Sequence, residues 1–167
     1  MNTTEKLYFI ILFSIILFCC YEKSEFRTEK FSNKHFCFPG NSIIKLANGE
    51  NIMMKDLKIG DRIITSNENN QLNTEEIVDF LHRNPYEKAE FITLTLNNSK
   101  TITASGEHLI WSGNQYKTMK SIVVGDQVFY KHGDTVKPIF VRNINTEQRI
   151  GVYSPLTISG MIIVDNI

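Results

Sequence analysis

Met54-Lys55-Asp56-Leu57-Lys58-Ile59-Gly60-Asp61-Arg62-Ile63-Ile64 returns 65 residues later as Met119-Lys120-Ser121-Ile122-Val123-Val124-Gly125-Asp126-Gln127-Val128-Phe129. Two copies at so long a period mark a duplication and not a solenoid. They predict two similar β subdomains related by a pseudo-two-fold axis. The shared Gly60-Asp61 and Gly125-Asp126 pairs need only a structural role: glycine supplies a backbone angle that other residues avoid, and aspartate caps the turn.

Around the two copies the chain reads as strands and tight turns. Residues 42–47 and 51–54 flank Asn48-Gly49, the strongest short hairpin signal. Further strands are predicted at 61–66, 76–82, 90–96, 100–104, 109–111, 127–131, 137–143 and 161–164. No stretch sustains a 3.6-residue period, so helix is limited to single turns near Lys55-Asp56-Leu57 and Lys120-Ser121-Ile122. The expected fold class is all-β and compact, with Phe80, Phe91, Trp111, Phe129 and Phe140 in the core.

The 167 residues suffice for one domain with a real core. A formal net charge of zero removes the electrostatic case for nucleic acid or an anionic membrane surface. No phosphate loop or nucleic-acid motif occurs, and the four histidines and lone downstream cysteine lack metal-ligand spacing, so neither cofactor nor metal is expected. Residues 7–20, LYFIILFSIILFCC, form an apolar run of about 14 residues. That is short for a membrane span, which needs roughly 20, and is the usual length of a secretory signal core. A signal peptide is expected over 1–20, with an uncleaved anchor as the alternative, and the product is expected to be secreted. Residues 21–36 are polar and charged without a period and read as a short leader.

Removing the signal leaves Cys37 as the sole thiol. A lone cysteine cannot form an internal bridge. It is either a small buried hydrophobe or a nucleophile, and its place before Phe38-Pro39-Gly40, at the head of the patterned region, favours the second reading. Such a residue can attack the carbonyl carbon of Phe36, giving a thioester and freeing its own amine. The thiol must lose its proton as it attacks. The developing oxyanion needs donors, and the departing nitrogen needs a proton. His108, whose imidazole titrates near neutrality, is the natural proton donor. Ser105, three residues earlier, offers a hydroxyl to hold the scissile amide or orient His108. The alternatives are a packed histidine and a turn serine. His35 and His132 read as residues of a solvated linker and a hairpin turn.

Together, Cys37-Phe38-Pro39-Gly40, the Met54–Ile63 segment, Phe80-Leu81-His82-Arg83, Ser105-Gly106-Glu107-His108-Leu109 and Tyr153-Ser154-Pro155-Leu156-Thr157 resemble the hedgehog C-terminal autoprocessing module, the Hint domain shared with inteins. The resemblance runs from Cys37 to the C-terminus. It implies an all-β fold of pseudo-two-fold halves and an N-to-S acyl shift at Cys37. The family's Thr-x-x-His falls on Ser105 and His108, with serine keeping the hydroxyl. An aspartate that the family uses to activate a sterol hydroxyl is replaced here by His82, which can also act as a base.

Hedgehogs continue past the last strand with a Ser-Cys-Tyr segment and a sterol-recognition region, whereas this chain ends Asp165-Asn166-Ile167. The expectation is therefore a module shortened at its C-terminus. Its substrate would be its own leader, and water or a small nucleophile would resolve the thioester in preference to a sterol. Splicing of the intein kind, which needs asparagine followed by a nucleophile, is not expected. The competing reading is an inactive Hint module serving as a secreted β-rich binding domain.

Overall fold

The structure, a computed structural model, describes residues 36–167 except 68 and 70; the expected signal peptide and most of the leader lie outside the described residues. Among the described residues the elements are β1 (Phe38–Pro39), β2 (Ile43–Lys45), β3 (Asn51–Met53), β4 (Arg62–Ser66), β5 (Leu72–Glu76), β6 (Asp79–Leu96), β7 (Thr101–Ala104), β8 (Leu109–Ser112), β9 (Gln115–Thr118), β10 (Gln127–His132) and β11 (Thr135–Leu156). Single 3₁₀ turns occupy Met54–Asp56 and Met119–Ser121. The fold is all-β, as the pattern of short alternating runs requires.

The duplication is visible bond for bond. In the first copy the Lys58 amide donates to Asp61 Oδ2 at 2.8 Å, and in the second Val123 donates to Asp126 Oδ2 at 3.0 Å. Gly60 N donates to the Ile77 carbonyl and Gly125 N to the Val141 carbonyl, both at 2.9 Å. The apolar positions of the two copies, Met54 and Met119, Leu57 and Ile122, Ile63 and Val128, all enter one core. Gly60 and Gly125 stand at φ +91° and +95°, where a Cβ is strained even though open space surrounds both. Gly125→Ala is therefore expected to cost about 1–2 kcal/mol from backbone strain alone, read as a lower urea midpoint with an unchanged slope.

The equivalence extends to the functional segments. The Lys55 amide donates to the Gly40 carbonyl and the Lys120 amide to the Gly106 carbonyl, both at 3.0 Å. Likewise Met54 N reaches the Ser42 carbonyl at 2.7 Å, and Met119 N reaches the His108 carbonyl at 2.8 Å. The segment that begins at Cys37 and the segment that carries Ser105 and His108 are thus symmetry mates, each strapped down by its own copy of the repeat.

One sheet runs in the order β7-β6-β11-β10-β8-β9, with β1 added on β11. Two hairpins, β2-β3 and β4-β5, complete the body. The long strands β6 and β11 pair antiparallel from Leu96↔Val141 to Asp79↔Leu156. Their register shifts between Ile150 and Val152, where one residue, Gly151 at φ +92°, faces the three residues between Asn84 and Lys88. Pro85 sits in this bulge, as a residue without an amide proton requires.

Several details differ from the sequence reading, among them strands β5 and β9, which it did not contain. The runs predicted at 76–82 and 90–96 fall, from Asp79 on, in the single long strand β6, and the intervening Asn84-Pro85 belongs to its bulge. Residues 161–163 are not a strand, and only Val164 makes a bridge, to Ile44. The core is mainly aliphatic: Phe91 is fully buried, but Phe140 is 51% exposed, because β11 turns Val141 inward instead.

Candidate functional site

β1 places Phe38 opposite Tyr153 and Pro39 opposite Val152. Continuing that register by one residue brings Cys37 beside Ser154, whose hydroxyl lies near enough to the thiol to favour its ionised form. Cys37 is completely buried, packed with Phe91 and Val152. Burial, and then the nearby charge of Glu87, push its thiol up to about 12, while the bond from Ser154 opposes them. At neutral pH the resting sulfur keeps its proton.

The bond between Phe36 and Cys37 is gripped on both sides. The Cys37 amide donates to Ser105 Oγ at 2.9 Å, and Ser105 N donates back to the Cys37 carbonyl at 2.8 Å. The Phe36 carbonyl lies against the His108 ring. A tight turn closed by His108 N on the Ser105 carbonyl at 3.0 Å fixes the spacing of these two residues. Phe38 covers the imidazole, ring centroids 4.2 Å apart. Burial lowers the His108 pKa to about 4, against the Phe36 carbonyl, which favours the charged ring. Nδ1 is buried, and among the described residues it has no hydrogen-bond partner.

Cys37, Ser105 and His108, separated by up to 71 positions in the chain, therefore converge on one peptide bond. His82 stands apart from that grip. It lies opposite Ser154 on β6, one strand further along the same row. Its Nε2 pairs with Glu87 Oε2 at 2.7 Å. Sequence reasoning did not single out Ser154 or Glu87. Ser154 lay inside the Tyr153–Thr157 motif, and nothing local distinguished Glu87 from other charged strand residues.

A cavity of about 560 Å³ opens beside Phe36 and His108, walled chiefly by apolar side chains including Trp111, Phe129 and Ile162.

The Hint module family model matches residues 23–167, most of the chain. This chain is a hedgehog-type Hint module. It is 30% identical over 142 residues to the Tiggy-winkle hedgehog protein of Danio rerio, a match covering 78% of this chain and 34% of that protein. It is 27% identical over 151 residues to Warthog protein 4 of Caenorhabditis elegans, covering 80% of this chain and 27% of that protein. The module thus spans about a third or less of these relatives. In three dimensions it superposes on a DnaB intein from Synechocystis with a TM-score of 0.71 at 17% identity, covering 78% of this chain and 94% of the intein. That likeness establishes the Hint fold, and the paired halves seen above are its architecture.

Proposed function

We propose that this Hint module cuts its own backbone at Phe36–Cys37 by an N-to-S acyl shift. The observation that carries the reading is the double grip on that bond, with the Ser105 hydroxyl on its N–H at 2.9 Å and His108 on its carbonyl. Cys37 Sγ attacks the Phe36 carbonyl carbon, the C–S bond forms, and the C–N bond breaks. The thiol proton ends on the departing Cys37 nitrogen. His108 keeps its contact with the Phe36 oxygen as that atom gains charge, an interaction stronger in the transition state than in the ground state. Ser105 Oγ, which accepts the Cys37 N–H, stays beside the nitrogen as it becomes basic.

Water or a small nucleophile then attacks the thioester, with His82 as the base that receives its proton. The C–S bond breaks, and the sulfur recovers a proton. The products are a short leader ending at Phe36 and a module beginning at Cys37. The apolar run before the leader supports release in the secretory pathway. The apolar cavity beside Phe36 favours one second reading, in which the nucleophile is an alcohol with an apolar body, such as a sterol.

The test is intact-mass analysis of the full chain with and without dithiothreitol. The expected result is a thiol-accelerated fragment whose first residue is Cys37, absent in Cys37→Ala. The mass of the released leader separates water from an alcohol supplied in the buffer. A wild-type chain that stays whole in strong thiol would leave the binding-domain reading in its place.

A further inference from the structure

We propose that Glu87 is the positioning residue of the second step, fixing the tautomer and orientation of the His82 ring. The inference rests on the autoprocessing reading above and assigns a part of it that the motifs do not contain.

Geometry carries the argument. Residues five apart in a regular strand lie roughly 17 Å from each other and on opposite faces. His82 Nε2 and Glu87 Oε2 are nonetheless 2.7 Å apart. Contact is achieved because the bulge opposite Gly151 turns the chain back between Asn84 and Lys88. A carboxylate only accepts, so Nε2 carries the proton and Nδ1 is left as the basic nitrogen of the ring. A base whose tautomer is set by a third group is the recurring arrangement around activated nucleophiles.

The pair also lies where a base is needed. His82, Ser154 and Cys37 form one row across β6, β11 and the start of β1, so neighbours on one face are successive strand spacings apart. Both the Ser154 hydroxyl and the Glu87 charge act on the Cys37 sulfur. Both members of the pair are only about a quarter exposed, 29% and 27%.

In the chemistry, the nucleophile's O–H proton passes to His82 Nδ1 as its oxygen bonds to the Phe36 carbonyl carbon. The C–S electron pair returns to sulfur, which takes the proton back from the imidazolium. The Glu87 carboxylate stabilises that imidazolium through its contact with Nε2. The same charge opposes the first step, because it disfavours a thiolate at Cys37. Removing it should therefore act on the two steps with opposite sign, which loss of a merely structural contact would not do.

The experiment measures both steps in the full chain for wild type, Glu87→Gln, Glu87→Asp, His82→Ala and the double variant Glu87→Gln/His82→Ala. Step one is read as the release rate at saturating dithiothreitol, and step two as release without thiol. Glu87→Gln should slow step two by about 10- to 100-fold while step one becomes faster. Glu87→Asp, which keeps the charge, should recover part of step two. The double variant should be no slower than His82→Ala, the mark of two groups acting as one. Equal slowing of both steps, or independent losses in the double variant, would overturn the assignment while leaving self-cleavage intact. A wild-type chain that releases nothing in either assay would overturn the autoprocessing reading itself, and this inference with it.

Discussion

His108→Ala is expected to slow thiol-induced release of the leader by about 10²–10³-fold, the usual cost of losing one donor to a developing oxyanion. The ring lies against the Phe36 carbonyl, and the backbone bonds of its turn, which run through Ser105, Gly106 and Met119, do not depend on the side chain and survive the substitution. Single-turnover rates with a parallel circular-dichroism spectrum check this. A variant that cleaves at the wild-type rate would remove His108 from the mechanism.

The same residue gives a stability signature. Its pKa in the fold, about 4, lies below the ordinary value of 6.5. The unfolded chain therefore binds the proton first as pH falls. The contribution of the neutral ring is fully present above pH 6.5 and is lost progressively as pH drops towards 4, reaching about 2 kcal/mol at pH 5. Urea titrations at pH 5 and 7.5 should show a larger gap for wild type than for His108→Ala.

Phe91→Ala is expected to be the most damaging core substitution near the site. Phe91 is fully buried and packs with Cys37 and Val152 in a small cluster of its own. Truncating a buried phenylalanine costs about 3–5 kcal/mol through lost burial and the cavity left behind. Here the cavity adjoins the sulfur. Since burial is the main cause of the raised Cys37 pKa, solvent entering that space should lower it. Iodoacetamide labelling of Cys37 at pH 8 should accelerate at least about tenfold over wild type, since the thiolate is the reactive form. Labelling at the wild-type rate in a folded variant would show that Phe91 does not govern the thiol.

Gly40 links this cluster to the long bulge. A Cβ there would lie 2.9 Å from Tyr153 Cε2 and 3.3 Å from Lys55 Cβ, and one on Gly151 would lie 3.1 Å from the same tyrosine atom. The two glycines therefore permit the close approach of β1 to β11 that puts Cys37 beside Ser154. Gly40 was visible in the sequence as part of a motif, but Gly151 was not, because its role depends on a strand it meets only in the folded chain.

The amino-acid sequence alone determined the all-β class, the duplication, the Asn48-Gly49 hairpin with its glycine at φ +92°, and Cys37, Ser105 and His108 as candidates, while His82 came only from the family resemblance. These rest on short-range patterns: turn chemistry, strand alternation and a repeated segment act within a few residues. Tertiary structure alone decided that Ser105 holds the Cys37 amide, that His108 holds the Phe36 carbonyl, and that Glu87 reaches His82. Each of these depends on register between distant strands or on a bulge, and a shift of one residue in a two-residue period would send the side chain to the other face.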